Sequence, residues 1–268
     1  MPDVTLLSLP PVTAPAGLTE TFVVTAYGAT IGIGVDAAFM TPVLQRHLPD
    51  NVTPADGDAE GGAVDAWIAV RASGRHEALE DVIEAFDSQL RFAVAQFARD
   101  KIFIHGGVVG WKGRAAIFPG KSHAGKTHLV SEMIKAGADY FSDDHAVIDS
   151  DGLVHPWFKP LSIRAVPYAR QRDVPPSTFG ARVAPAALPI GLVLSTRFAA
   201  DAVWNPVRAS PSEGALELMA NAVAARIYPA RVMEVVSTVA TRAPVFRTER
   251  PDAQAVIPRI FEMLEECS

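Results

Sequence analysis

The clearest periodic pattern in the chain predicts a long amphipathic helix. From Glu77 to Arg99, apolar residues recur every three or four positions, as on one face of an α-helix. The members of this stripe are Leu79, Val82, Ile83, Phe86, Leu90, Val94 and Phe97. A stripe of this kind is typical of core packing, so it carries no functional prediction.

Strand-like and helix-like segments alternate along the rest of the chain, which predicts an α/β fold. Thr21 to Val35 predicts two strands around a turn at Tyr27-Gly28. The other predicted strands are Ala66–Val70, Ile102–Ile104, Val108–Trp111, Ala115–Phe118, Tyr140–Phe141, Ala146–Ile148, Leu192–Leu194 and Val245–Phe246. The other predicted helices are Met40–Leu48, Lys126–Lys135, Ser212–Ala225, Arg231–Ala240 and Ala253–Leu264. An extended lead-in is expected over residues 1–18, and a loop over Asn51–Ala63.

Composition narrows the class of protein without indicating its chemistry. The chain has 268 residues, of which 49% are hydrophobic, and its 24 basic and 30 acidic residues give a net charge of −6. The acidic balance disfavours nucleic acid as a partner. With one cysteine, Cys267, no disulfide forms within the chain, which suits a reducing cytoplasm. No apolar run is long enough for a membrane helix, and the N-terminus lacks the basic region of a secretory signal. We therefore expect a cytoplasmic protein without membrane or nucleic-acid partners.

One motif points to phosphate chemistry. Residues Gly120 to Thr127 (GKSHAGKT) match the pattern G-x-x-x-x-G-K-[ST], between a strand-like run and a helical one. Glycines allow backbone N–H groups to turn toward phosphate oxygens, and the helix N-terminus adds its positive end. Lys126 is then expected at the β- and γ-phosphates and the Thr127 hydroxyl at Mg²⁺. The predicted nucleotide-binding residues are Gly120, Lys121, Ser122, His123, Ala124, Gly125, Lys126, Thr127 and His128.

Two further features have both an ordinary and a functional interpretation. The acidic pair Asp143-Asp144 follows a predicted strand and alone would be an exposed turn, but its place after a phosphate loop favours a role in metal binding or proton transfer. His105 lies in an apolar strand-like run, where a histidine is more often part of the core than of a site.

Taken together, these residues resemble the bacterial HPr kinase/phosphorylase family and its shorter HPr-kinase-like relatives. The resemblance rests on His105-Gly106, the Gly120–Thr127 loop and Ser142-Asp143-Asp144, in that order. Lys126 follows His105 by 21 residues and precedes Asp143 by 17, and both separations agree with the family pattern. The match is firm from about Phe103 to Ile148.

The resemblance implies a fold, an activity and residue roles. The fold would be a P-loop kinase core of the HPr kinase C-terminal-domain type over residues 77–268, with a central mixed sheet flanked by helices, after a small β-rich region over residues 1–76. The activity would be transfer of the γ-phosphoryl group of ATP to a hydroxyl of a protein, peptide or metabolite. Asp143 would act as base, His105 and Lys126 would contact the phosphates, and Thr127 and Asp144 would hold Mg²⁺. The full-length family forms hexamers, so a homo-oligomer is also expected.

Two departures from the family pattern leave other functions open. His123 stands where the family loop has glycine, and Pro160–Arg164 lacks the glutamate of the later acidic signature. The missing signature supports a second hypothesis, a nucleotide-binding regulatory module without phosphotransfer. A third is a P-loop ATPase or GTPase switch, although the chain has no N-K-x-D run for guanine.

Overall fold

The computed structural model describes residues 3–7, 14–55, 64–71, 78–120, 124–163, 172–184 and 186–266. Its contacts divide the chain into two units, Met1–Asp100 and Lys101–Ser268. Mixed sheets and helices build both units, so the α/β prediction is confirmed at this level. Within the described ranges, no helix combines the length and apolar character needed to cross a bilayer.

Among its described residues, the first unit contains a five-stranded mixed sheet and two helices. The sheet has the order β1-β5-β3-β2-β4, with β3 and β5 parallel and the other neighbours antiparallel. The strands are β1 (Asp3–Leu7), β2 (Glu20–Ala26), β3 (Ala29–Val35), β4 (Thr53–Pro54) and β5 (Ala66–Arg71), and the helices are α1 (Met40–Arg46) and α2 (Leu79–Phe97). β1 lies within the expected extended lead-in and β4 within the expected loop, of which residues 56–63 are outside the described part.

Local sequence explains the central hairpin of this sheet. Tyr27 and Gly28 have φ values of 49° and 78°, which both central positions of a tight type I′ turn require. In β3, a Cβ at Gly32 would lie 2.6 Å from the Trp67 ring on the neighbouring strand. The lack of a side chain at Gly32 therefore leaves room for the Trp67 ring, which is 1% exposed.

Helix α2 completes the first unit. Its buried residues include Phe86, Leu90, Val94 and Phe97 from the predicted stripe, and the helix contacts β1, β3 and β5. The sequence predicts a domain boundary at residue 76, before this helix, and that boundary stays a prediction. In the structure, α2 lies in the unit Met1–Asp100, where its apolar face packs on the sheet.

The second unit contains the remaining elements. The strands are β6 (Ile102–Trp111), β7 (Arg114–Pro119), β8 (Asp139–Ser142), β9 (His145–Ile148), β10 (Leu153–His155), β11 (Leu161–Ile163), β12 (Arg172–Val174), β13 (Arg182–Val183), β14 (Leu188–Phe198), β15 (Val207–Arg208) and β16 (Val245–Arg250). The helices are α3 (Lys126–Lys135), α4 (Pro211–Ala220), α5 (Pro229–Arg242) and α6 (Ala253–Glu266), with short 3₁₀ helices at Pro176–Phe179 and Val223–Arg226.

Its main sheet is mixed and has helices on both faces. β7 pairs antiparallel with β6 and parallel with β14, which in turn runs parallel to β16. Alternate residues of β7 face opposite sides, because successive side chains of a strand do so. Ile117 joins the core under α4 and α5, whereas Ala116 and Phe118 join the core under α3 and α6.

Three predicted elements differ clearly from the observed ones. Ile102–Ile104 and Val108–Trp111 were predicted as separate strands, but they form the single strand β6, whose Gly106 and Gly107 both pair with β7. The helix predicted over Ser212–Ala225 ends at Ala220, because Asn221 and Ala222 turn to bond with β6.

Candidate functional site

A strand precedes the phosphate-loop motif and a helix follows it. β7 ends at Pro119 and α3 begins at Lys126, the arrangement that the motif requires. Gly125 caps α3 with a φ of 81°, in the left-handed region that favours glycine. Lys121, Ser122 and His123 lie outside the described residues. The described part therefore shows the setting of the loop, while its phosphate-facing backbone stays a prediction.

Two glycines of β6 allow close packing at this junction, Gly106 against the backbone of β7 and Gly107 against the helix α3. A Cβ at Gly106 would lie 2.8 Å from the Phe118 carbonyl oxygen, and one at Gly107 would lie 2.5 Å from a Val130 methyl group. Gly120, at the start of the motif, donates its N–H to the His105 carbonyl at 3.2 Å. The start of the loop is thus tied to the strand that carries His105.

Lys126 meets His105 at this junction. Its Nζ lies 3.3 Å from His105 Nε2, and the lysine is buried. Burial lowers the pKa of Lys126, and the carboxylates of Asp143 and Asp144 act in the opposite direction. The lysine charge is therefore held close to two carboxylates, near the N-terminus of α3.

Asp143 is a buried carboxylate with spare hydrogen-bonding capacity. It is 8% exposed, and Ser162 donates its N–H to Oδ2 at 3.3 Å. Among the described residues, none hydrogen-bonds to Oδ1. Burial raises the pKa of Asp143 to about 7, although the Thr127 hydroxyl and the Ser162 amide favour the ionised form. A carboxyl group with this pKa can accept a proton near neutral pH.

Asp144 lies between two imidazoles. His105 Nδ1 is 3.5 Å from Oδ1, and His145 Nδ1 is 3.1 Å from Oδ2. Burial alone would raise the pKa of Asp144, but His105 and His145 outweigh that effect and hold the pKa well below its usual range. Asp144 is therefore ionised over the whole physiological pH range, whereas Asp143 is close to its midpoint.

The turn that carries the two carboxylates is fixed by a buried serine. Ser142 Oγ accepts the N–H groups of Asp144 at 3.2 Å and His145 at 3.1 Å. β9 then returns antiparallel to β6, and His145 lies directly opposite His105. The local hydrogen bonds and the sheet register together bring both histidines to Asp144.

Comparisons with known proteins give a distant likeness. No family model matches this chain, and no curated protein matches it. Among solved structures, the chain is similar to an HPr(Ser) kinase/phosphatase from Coxiella burnetii, with a TM-score of 0.34 and 15% identity over 61% of this chain and 94% of that one.

Most of the described predicted site residues meet in one place. Lys126 links the helix start to His105, and Thr127, Asp143 and Asp144 surround the same junction. His128 is different, because it is exposed on α3 with its Nε2 3.6 Å from an Asp252 carboxylate oxygen. A nucleotide-binding role for His128 stays a prediction.

Sequence reasoning missed a buried arginine beside the loop. Arg250, at the end of β16, is fully buried and donates from Nη2 to the Gly125 carbonyl at 2.8 Å. Its guanidinium also lies 5.9 Å from the Phe198 ring centroid, and burial lowers its pKa. The arginine is 125 residues from Gly125, so no local pattern could have linked the two.

Proposed function

We propose that the second unit is an ATP-dependent phosphotransferase that moves the γ-phosphoryl group to a hydroxyl of an acceptor. The observation that carries the proposal is the buried Asp143 carboxylate, whose Oδ1 has no hydrogen-bond partner among the described residues. A buried acceptor atom without a partner is costly, and a substrate hydroxyl would supply the missing donor. The motif at Gly120–Thr127 supports a nucleotide as the other substrate.

In this proposal, different residues bind the phosphates and accept the proton. The N-terminus of α3 and Lys126 bind the phosphates, and His105 lies next to Lys126 on the same side. Asp143 accepts the proton of the acceptor hydroxyl. The acceptor oxygen then bonds to the γ-phosphorus while the bond from phosphorus to the bridging oxygen breaks, and ADP leaves.

The oxygen donors at the junction suit a magnesium ion. The Thr127 hydroxyl and the ionised Asp144 are hard oxygen ligands of the kind that Mg²⁺ prefers. Thr127 and Asp144 would hold the ion, which would neutralise phosphate charge when bound. Asp143 stays available to the acceptor.

Binding and transfer are tested separately. Calorimetric titration of the purified protein with Mg-ATP should show binding that Lys126→Ala abolishes. Lys135→Ala, at the far end of the same helix, is the matched control and should bind normally. Transfer is then followed with γ-labelled ATP and a pool of serine- and threonine-containing peptides, alcohols and sugars.

The base role of Asp143 predicts a large loss of transfer in Asp143→Asn. Removing a general base costs about 10²- to 10⁴-fold in rate. Unchanged transfer by Asp143→Asn would contradict the assignment. Binding of Mg-ATP without transfer to any acceptor would favour the regulatory-module hypothesis, for which the missing acidic signature is the supporting observation.

A further inference from the structure

The strongest feature that the proposed function does not use is His145. Its side chain is 8% exposed, and Nδ1 makes no hydrogen bond within the described part of the chain. Nδ1 lies 3.1 Å from Asp144 Oδ2, close to the carboxylate but not aligned for a hydrogen bond. A buried ring nitrogen that faces a carboxylate and a second imidazole has the donor chemistry of a transition-metal ligand.

We propose that His105, Asp144 and His145 form a binding site for a divalent transition-metal ion, with Zn²⁺ as the probe. One ligand atom from each of the three residues lies within 4.8 Å of the other two. Two imidazoles and one carboxylate suit zinc and neighbouring transition metals, whereas magnesium prefers oxygen alone. This site shares Asp144 with the proposed magnesium ligands, and its two imidazoles make its metal preference different.

Two of the three separations agree with a shared ion. Zinc bonds to imidazole nitrogen and carboxylate oxygen are about 2.0–2.2 Å, so two ligands of one ion lie about 3.0–3.5 Å apart. The separation of Asp144 from His145 is 3.1 Å and from His105 is 3.5 Å. Asp144 offers a different oxygen to each histidine, so a small rotation of its carboxylate would bring one oxygen into the shared position.

The surroundings hold the ligands in place but leave access from solvent. Ser142 fixes the backbone of the turn, and the Phe103 ring packs edge-on against His145 with centroids 5.9 Å apart. His105 and Asp144 have side chains that are 31% and 27% exposed. An ion can therefore enter from the exposed side and reach the buried His145.

Two lysines lie next to the proposed ligands and would compete with the ion for them. Lys159 Nζ lies 3.9 Å from Asp144 Oδ2, and Lys126 Nζ lies 3.3 Å from His105 Nε2. The ion would replace Lys159 as the cationic partner of Asp144. Lys159→Met should therefore tighten Zn²⁺ binding, which a merely structural histidine pair would not do.

The test is metal binding by the full chain without nucleotide. EDTA-stripped protein is titrated with Zn²⁺ against a chromophoric chelator, and Co²⁺ is added separately to record its visible absorption. We expect one equivalent bound, a Co²⁺ spectrum with imidazole ligation, and at least about tenfold weaker binding in His145→Gln. His155→Gln, which removes a histidine paired with Asp149, is the matched control and should bind as the parent does.

Each outcome decides the proposal. Absence of stoichiometric Zn²⁺ binding by the parent protein would overturn it, whether or not the variants fold. Equal binding by His145→Gln and Asp144→Asn would also overturn it, because the ion would then sit elsewhere. Since no nucleotide is present, failure here leaves Mg-ATP binding intact, and failure of Mg-ATP binding leaves this result intact.

Discussion

Ionisation of the buried Asp143 is predicted to destabilise the folded protein. Its pKa is raised to about 7 from 3.8, so the folded state holds a proton that the unfolded chain releases. The contribution of this proton to stability is complete below pH 3.8 and is lost as the pH rises through about 7. Relative to Asp143→Asn, the free energy of unfolding of the parent protein should fall by about 1.4 kcal/mol per pH unit between these two pH values.

The assay is urea unfolding at fixed pH in EDTA, followed by tryptophan fluorescence, because Trp111, Trp157 and Trp204 report on the second unit. Between pH 5 and pH 8, the stability advantage of Asp143→Asn over the parent should grow by about 2.5 kcal/mol. Asp201→Asn, at an exposed turn, should show no such growth. A difference that stays constant with pH would refute the reasoning, because only a shifted titration makes it pH-dependent.

Four further results are expected. Transfer activity should rise with pH through about 7, because Asp143 must be ionised to accept a proton, and a pH–rate profile checks this. Gly125→Ala should lose nucleotide binding and about 1–2 kcal/mol of stability, measured by calorimetry and urea unfolding, because it places a Cβ at a φ of 81°. Arg250→Met should destabilise the second unit by about 1–3 kcal/mol in urea unfolding, because the Gly125 carbonyl loses its donor. Arg259→Met, which removes an exposed arginine of α6, is the control and should be nearly neutral. Gly32→Ala should cost about 1–3 kcal/mol in thermal unfolding, because its Cβ would lie 2.6 Å from a buried tryptophan ring.

Local sequence was enough to predict most of the regular elements, and it placed the candidate site residues next to the Gly120–Thr127 motif, where their roles stay predictions. The stripe in α2 and the strand–loop–helix at Gly120–Thr127 depend on neighbours within a few turns of chain. The spacing of His105, Lys126 and Asp143 could be interpreted from the sequence because it resembles a known family pattern. The helix end at Ala220 and the short strands β10 and β13 were missed, because Asn221 bonds to β6, β10 pairs with β14 and β13 pairs with β8, all at a distance along the chain. The strands β11 and β12 were also missed, because each has only three residues, too few for a periodic pattern.

The sequence by itself determined the α/β character, the hairpin turn at Tyr27-Gly28 and the set of polar residues gathered around the loop. Only the tertiary structure decided the contacts, burial and distances of these residues. The fold separates the pKa values of the two carboxylates, because Asp143 is buried without a partner at Oδ1 while Asp144 lies between two imidazoles. The register of β6 and β9 places His145 opposite His105. Charge, solvent access and distance are properties of the folded chain, and adjacent residues of one sequence can differ in all three.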